Sequence, residues 1–160
     1  MTLAWHFLPG DGRLRYGDRR LVKVGETITH NGAVKLCRSG LHASSRLIDA
    51  LKYAPGSLVC RVRLGGAVLH GDDKIAATER TALWMINITE VLQRFARLCA
   101  MDAIDNWDEP APDAVTQWLH AGDESVRYAA CRAAWSATQS APQSAARHAA
   151  ESAARSAARS

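Results

Sequence analysis

An α+β chain is expected: a β-rich N-terminal module with one inserted helix over residues 1–110, then an all-helical, alanine-rich portion over 111–160. Three observations carry that expectation. Residues 58–64 alternate with period two, placing Leu58, Cys60, Val62 and Leu64 on one face and Val59, Arg61 and Arg63 on the other. Residues 89–104 carry Val91, Leu92, Phe95, Leu98 and Cys99 at helical spacing. Residues 144–160 repeat an alanine-rich unit four residues long, SAAR-HAAE-SAAR-SAAR-S, and alanine is the best helix former.

The elements follow in order. Residues 3–8 read as a strand ended by Pro9-Gly10-Asp11-Gly12, and residues 20–24 as a second, short one. Asn31-Gly32 is a hairpin-turn dipeptide, so residues 27–30 are expected to pair with 33–37. Ser44 or Ser45 is placed to cap a helix over 46–54, which Pro55-Gly56 stops. After the alternating strand, Gly65-Gly66 leads to residues 67–70 and a turn at Gly71-Asp72-Asp73, with a strand or short helix over 75–88. Thr89 caps the helix that reaches Ile104 and is expected to close the core. Pro112 or Asp113 opens a helix that ends at Ala121-Gly122, and Asp123 caps the next.

Composition narrows the function classes. At 160 residues and 48% hydrophobic content the chain can bury a core, although alanine supplies much of that content. With ten aromatics in all, Trp5, Trp84, Trp107, Trp118 and Trp135 are expected to anchor packing. Cys37, Cys60, Cys99 and Cys131 form no C-x-x-C pair, which argues against a zinc or redox motif and for reduced, largely buried thiols. No long apolar run or signal-peptide start appears, so no membrane association is expected. Charge is bipolar: residues 1–71 hold 11 Lys/Arg against 4 Asp/Glu, and residues 72–140 hold 6 against 11. Such a chain suits a complementary partner.

The segments KLCRSGLHAS, DALKYAPGSLVCRVRLGG, HGDDKIAATERTALW and FARLCAMDAIDNWDEP resemble a family of small, largely uncharacterised proteins encoded by bacteriophages and prophages. The resemblance covers roughly residues 20–125, and the alanine-rich helical tail accompanies it. It implies a phage or mobile-element accessory protein of the bacterial host cytosol. It makes counter-defence of the anti-CRISPR kind one role, and the mode expected for this chain is non-enzymatic binding of a host protein.

Candidate surfaces follow from the residues themselves. Arg13, Arg15, Arg19 and Arg20, interleaved with Tyr16, form a basic loop suited to phosphate contacts and base stacking, which permits nucleic acid as a partner. Asp105, Asp108 and Glu109 form an acidic stretch that can mimic phosphates toward a basic protein. Arg147 and Arg155, spaced around Glu151, present charge along the tail, whose small side chains permit close helix approach and homo-oligomer contact.

Neither metal nor cofactor is expected, because His6, His30, His42 and His70 lack ligand spacing. The enzyme alternative resembles an ADP-ribosyltransferase layout. It casts His6, with His42, on early strands, Tyr53 as the stacking aromatic, and Glu79 as the carboxylate opposite a developing oxocarbenium charge. That reading requires His6, Tyr53 and Glu79 to converge on one cleft.

Overall fold

The computed structural model describes residues 2–104 and 110–140, which fall into two compact units divided after Ile88. The fold is α+β, an antiparallel sheet followed by helices. Among the described residues no helix is long and apolar enough to cross a membrane.

The first unit is built on one hairpin. Strands β4 (Leu58–His70) and β5 (Ile75–Asn87) pair antiparallel along their length, and the Gly71 N–H donates to the Lys74 carbonyl at 2.8 Å to close the turn. The alternation expected over 58–64 therefore continues through Gly65-Gly66 in one bulged strand, and the segment after the turn is a strand. Gly66 sits at the bulge with φ +66, where a Cβ would collide with the Thr78 hydroxyl.

Strand β1 (Thr2–Leu8) lies against β4, from Thr2 opposite Leu64 to Leu8 opposite Leu58. On the far edge of β5, β3 (Leu41–Ala43) pairs with residues 75–77 and β2 (Thr27–Thr29) with residues 79–81. Just past β3, Ser44 exchanges two backbone hydrogen bonds with Trp5, 2.7 and 2.9 Å long. The path β1–β4–β5–β3 thus returns to β1, leaving fewer open strand edges.

The apolar set expected on β4 is the core. Cys60, Val62 and Leu64 cluster with Ala4, Leu8, Leu41, Ile75 and Ala82 at 8% exposure or less. Each fully buried Leu, Ile or Val contributes roughly 1.5–3 kcal/mol. Val22 and Leu14, from the loop after β1, pack on the same cluster.

Three local expectations are corrected. Residues 20–24 form no strand, only isolated bridges of Leu21 to Arg13 and Val24 to Ala82. β2 pairs with β5 rather than with 33–37, because Thr27 and Ile28 gain the Thr81 hydroxyl and a place in the core. The 33–37 segment instead turns on itself through a Lys35–Ser39 bridge. Helix α1 (Leu47–Leu51) is five residues long with Arg46, not Ser44 or Ser45, at its N-cap and no side-chain cap, while the Ser44 backbone pairs with Trp5. Its Asp49 carboxylate is gripped by Lys52 at 3.0 Å and Arg46 at 3.8 Å, pairs worth a few tenths of a kcal/mol each.

The second unit holds α2 (Thr89–Ile104), α3 (Asp113–Ala121) and α4 (Glu124–Ser140). Thr89, read as a cap, is the first residue of α2, and the boundary between α3 and α4 matches the caps read from the sequence. Gly122 closes α3 in the left-handed conformation with its N–H on the Trp118 carbonyl, and Asp123 accepts the Ser125 N–H at 2.8 Å. Trp118, Val115 and Leu119 pack with Ala100, Ala130 and Ala134. The apolar stripe expected to bury α2 does not: Val91, Phe95 and Leu98 stay exposed, and Ala100 is its one buried residue. Trp107, the Trp135 side chain, Asp105, Asp108, Glu109 and the tail with Arg147 and Arg155 lie outside the described residues.

Candidate functional site

The outer face of the first unit carries an ordered aromatic and basic cluster. Register sets Trp5, Arg61 and Trp84 in one row across β1, β4 and β5. The Trp5 and Trp84 rings meet edge to face, centroids 5.6 Å apart, and the Arg61 guanidinium lies 4.5 Å over the Trp5 ring. A cation over an indole contributes about 0.5–1 kcal/mol at an exposed site. Trp84 nevertheless remains 42% exposed, and Leu3 and Ile86 beside this row are 50% and 54% exposed. Arg63, opposite Leu3, adds a second guanidinium. Trp5 and Trp84, expected to anchor packing, do so with each other and with Arg61 on the outer face. The bulge between Arg61 and Val62 and the strand alternation put them outside, while Val62 and Ala82 take the inside.

The inward face holds a polar group of a different kind. Arg80 is 3% exposed, and its Nη1 donates to the His42 carbonyl at 2.7 Å. Burial pulls its guanidinium down to about 10. His6 points into the same interior, and burial, with Arg80 and His42 adding, holds its imidazole well below the ordinary 6.5. His42 is lowered as well, chiefly by burial. Burial also raises the Cys60 thiol to about 11, which suits an inert packing group rather than a nucleophile.

The constellation of the enzyme reading is not assembled. His6 shares its face with Arg80, whereas Glu79, the preceding residue on β5, lies on the opposite face against Gly65 and Gly66. Tyr53 is half exposed at the end of α1, its hydroxyl donating to Asp73 Oδ2 at 2.6 Å. One cleft cannot collect the three.

The basic loop divides in two. Arg13 and Arg20 hold the loop together: Arg13 Nη1 reaches the Arg19 carbonyl at 2.9 Å, and Arg20 pairs with Asp18 at 2.6 Å and bonds the Thr29 carbonyl. The Arg20 guanidinium lowers the Asp18 carboxyl accordingly. Arg15, Tyr16 and Arg19 face outward, with Tyr16 98% exposed at φ 60 and the Arg15 guanidinium 5.5 Å over its ring.

Sequence reasoning missed the outer cluster because Trp5, Arg61 and Trp84 are separated by 56 and 23 residues and only the register joins them. The one sequence signal was Arg61 and Arg63 on the polar face of an alternating strand. It also missed that Cys37 and Cys99 are exposed, leaving Cys60 as the buried thiol.

Compared with known families, residues 18–94 match the model of a domain of unknown function (DUF7666), a stretch from the loop before β2 into α2 and just under half of the chain. No curated protein and no solved structure matches significantly.

Proposed function

We propose that this chain is a non-enzymatic accessory protein that binds an acidic surface of a partner protein through the Trp5–Arg61–Trp84 row. The observation that carries the reading is that row itself: stacked, partly ordered by its own contacts, and open to solvent. Trp and Arg are the residue types that dominate binding energy in protein interfaces, and side chains already held in place lose less entropy on docking. The unit that presents them holds 13 Lys/Arg against 7 Asp/Glu, so an acidic partner is favoured at long range as well as in contact. In the phage or mobile-element setting that the sequence resemblance implies, the partner is a host protein and the consequence of binding is interference with host defence.

Affinity capture from nuclease-treated bacterial lysate tests this, with Trp84→Ala and Arg61→Glu proteins run beside the wild type. A stoichiometric partner retained by the wild type and reduced at least about 30-fold by either substitution is expected, since a hot-spot loss exceeds 2 kcal/mol. Equal recovery by all three proteins removes the row from the interaction.

A second reading rests on Arg15, Tyr16 and Arg19, the outward part of the basic loop. They offer two cations and a free ring to a single-stranded nucleic acid. That reading requires affinity for oligonucleotides that falls steeply with salt, and unchanged oligonucleotide binding by Trp84→Ala protein.

A further inference from the structure

At the far end of the β4–β5 hairpin, three stretches of chain bring a thiol, an ammonium and a phenol together at the surface. Lys35 and Ser39 exchange backbone hydrogen bonds of 3.0 and 2.9 Å and so close a tight turn. Cys37 stands at its tip with φ 62, a left-handed conformation that costs a non-glycine residue roughly 1–3 kcal/mol and needs outside support. Its N–H finds that support on His42 Nε2 at 3.1 Å.

Lys74, from the hairpin turn, places Nζ 3.3 Å from the Cys37 sulfur and 4.0 Å over the Tyr53 ring. The Tyr53 hydroxyl is tied to Asp73, which also lies 3.9 Å from Lys74 and 3.8 Å from Lys52. Tyr53 first and then Cys37 hold Lys74 above the usual lysine range, so it stays an ammonium. Its side chain is 19% exposed, whereas Cys37 is open to solvent. A long cation is therefore fixed beside an accessible sulfur, and none of these groups serves the Trp–Arg row.

We propose that Cys37 is a modification site, oxidised reversibly by hydroperoxides, with Lys74 as the donor that stabilises the leaving oxygen. In the step, the Cys37 thiolate attacks the terminal oxygen of the peroxide. The S–O bond forms as the O–O bond breaks, sulfur loses two electrons, and the departing oxygen takes the electron pair and a proton to leave as water or an alcohol. Charge develops on that oxygen within reach of Nζ, where a preorganised ammonium lowers the barrier. The resulting sulfenic acid condenses with a second thiol to a mixed disulfide and water, and excess thiol returns Cys37 to its reduced form.

Cys99, also exposed, serves as the reference within the same chain. The full-length protein is treated with hydrogen peroxide in the presence of a sulfenic-acid-trapping dione, and the label is located by peptide mass analysis. Cys37 is expected to trap about tenfold faster than Cys99, and Lys74→Met to bring it within about twofold. Alkylation by iodoacetamide, whose iodide leaves without a proton, separates this role from a merely structural one. Lys74→Met should slow the peroxide reaction at least about fivefold more than the alkylation. Lys74→Arg, which keeps a cation, should retain most of the peroxide rate. Equal trapping at Cys37 and Cys99, or an equal fall in both reactions, overturns the proposal.

Discussion

The two units are held together in different ways. In the first, cohesion is spread over a sheet that returns on itself, with Leu8, Leu64, Ile75 and Val62 all nearly sealed and a guanidinium and an imidazole accommodated among them. In the second, half of the buried set among the described residues is alanine, and Trp118, Leu119 and Val115 supply the bulk. The sheet core accommodates Arg80 because its guanidinium is bonded to the His42 carbonyl. A core of small residues depends on its few large ones.

The sharpest way to break the helical unit is Trp118→Ala, expected to cost about 3–5 kcal/mol. Hydrogen exchange should show loss of protection in α3 and α4 while β4 and β5 keep theirs. Trp118→Phe sharpens the point. Among the described residues the buried Trp118 Nε1 has no hydrogen-bond partner, so this substitution forfeits no bond and should cost less than about 1.5 kcal/mol.

Acid separates the units next. His6 has a folded value well below the ordinary 6.5, so on acidification the unfolded chain takes the proton first. Stability of the first unit is therefore lost as pH falls below that ordinary value, His6 alone adding a slope that approaches about 1.4 kcal/mol per pH unit until its folded value is reached, with His42 adding a smaller loss of the same sign. Denaturant midpoints for the β-rich unit, measured from pH 7.5 to 5, should follow this slope. His6→Asn should remove the larger, His6 part of this loss and leave the smaller part due to His42, whatever its effect at pH 7.5. The smallest effect is Gly122→Ala, which forces a left-handed residue at the end of α3 and crowds the Arg97 guanidinium, for about 1 kcal/mol by thermal melt.

Much of this fold was legible in the residues. Period-two alternation at 58–64, the helical spacing after Thr89, and the Gly122-Asp123 boundary each express local chemistry, and each appears where the sequence placed it. What was not legible depends on distant pairing. Asn31-Gly32 reads as a hairpin, yet the edge of β5 offers β2 a hydroxyl partner and a core position that 33–37 cannot match. The same holds for function. The Arg13–Arg20 loop looked uniformly basic, but Asp18 and two carbonyls claim half of its arginines. The Trp–Arg row and the Cys37–Lys74 pair exist only after strands far apart in sequence are set side by side.

The β4–β5 hairpin is also the pairing expected to form first in folding. Its turn joins residues close in sequence, whereas β1 must return across about 50 residues to lie against β4, at a loop-closure cost greater by roughly 2 kcal/mol. Every other strand of the unit has its main pairing with one of these two. A hairpin that forms first predicts that truncating the buried Ile75 slows folding, whereas substitutions in β1 mainly hasten unfolding, a contrast read from the two arms of a chevron. The Gly71–Lys74 turn, a surface feature in the finished molecule, is then the point where its assembly is expected to begin.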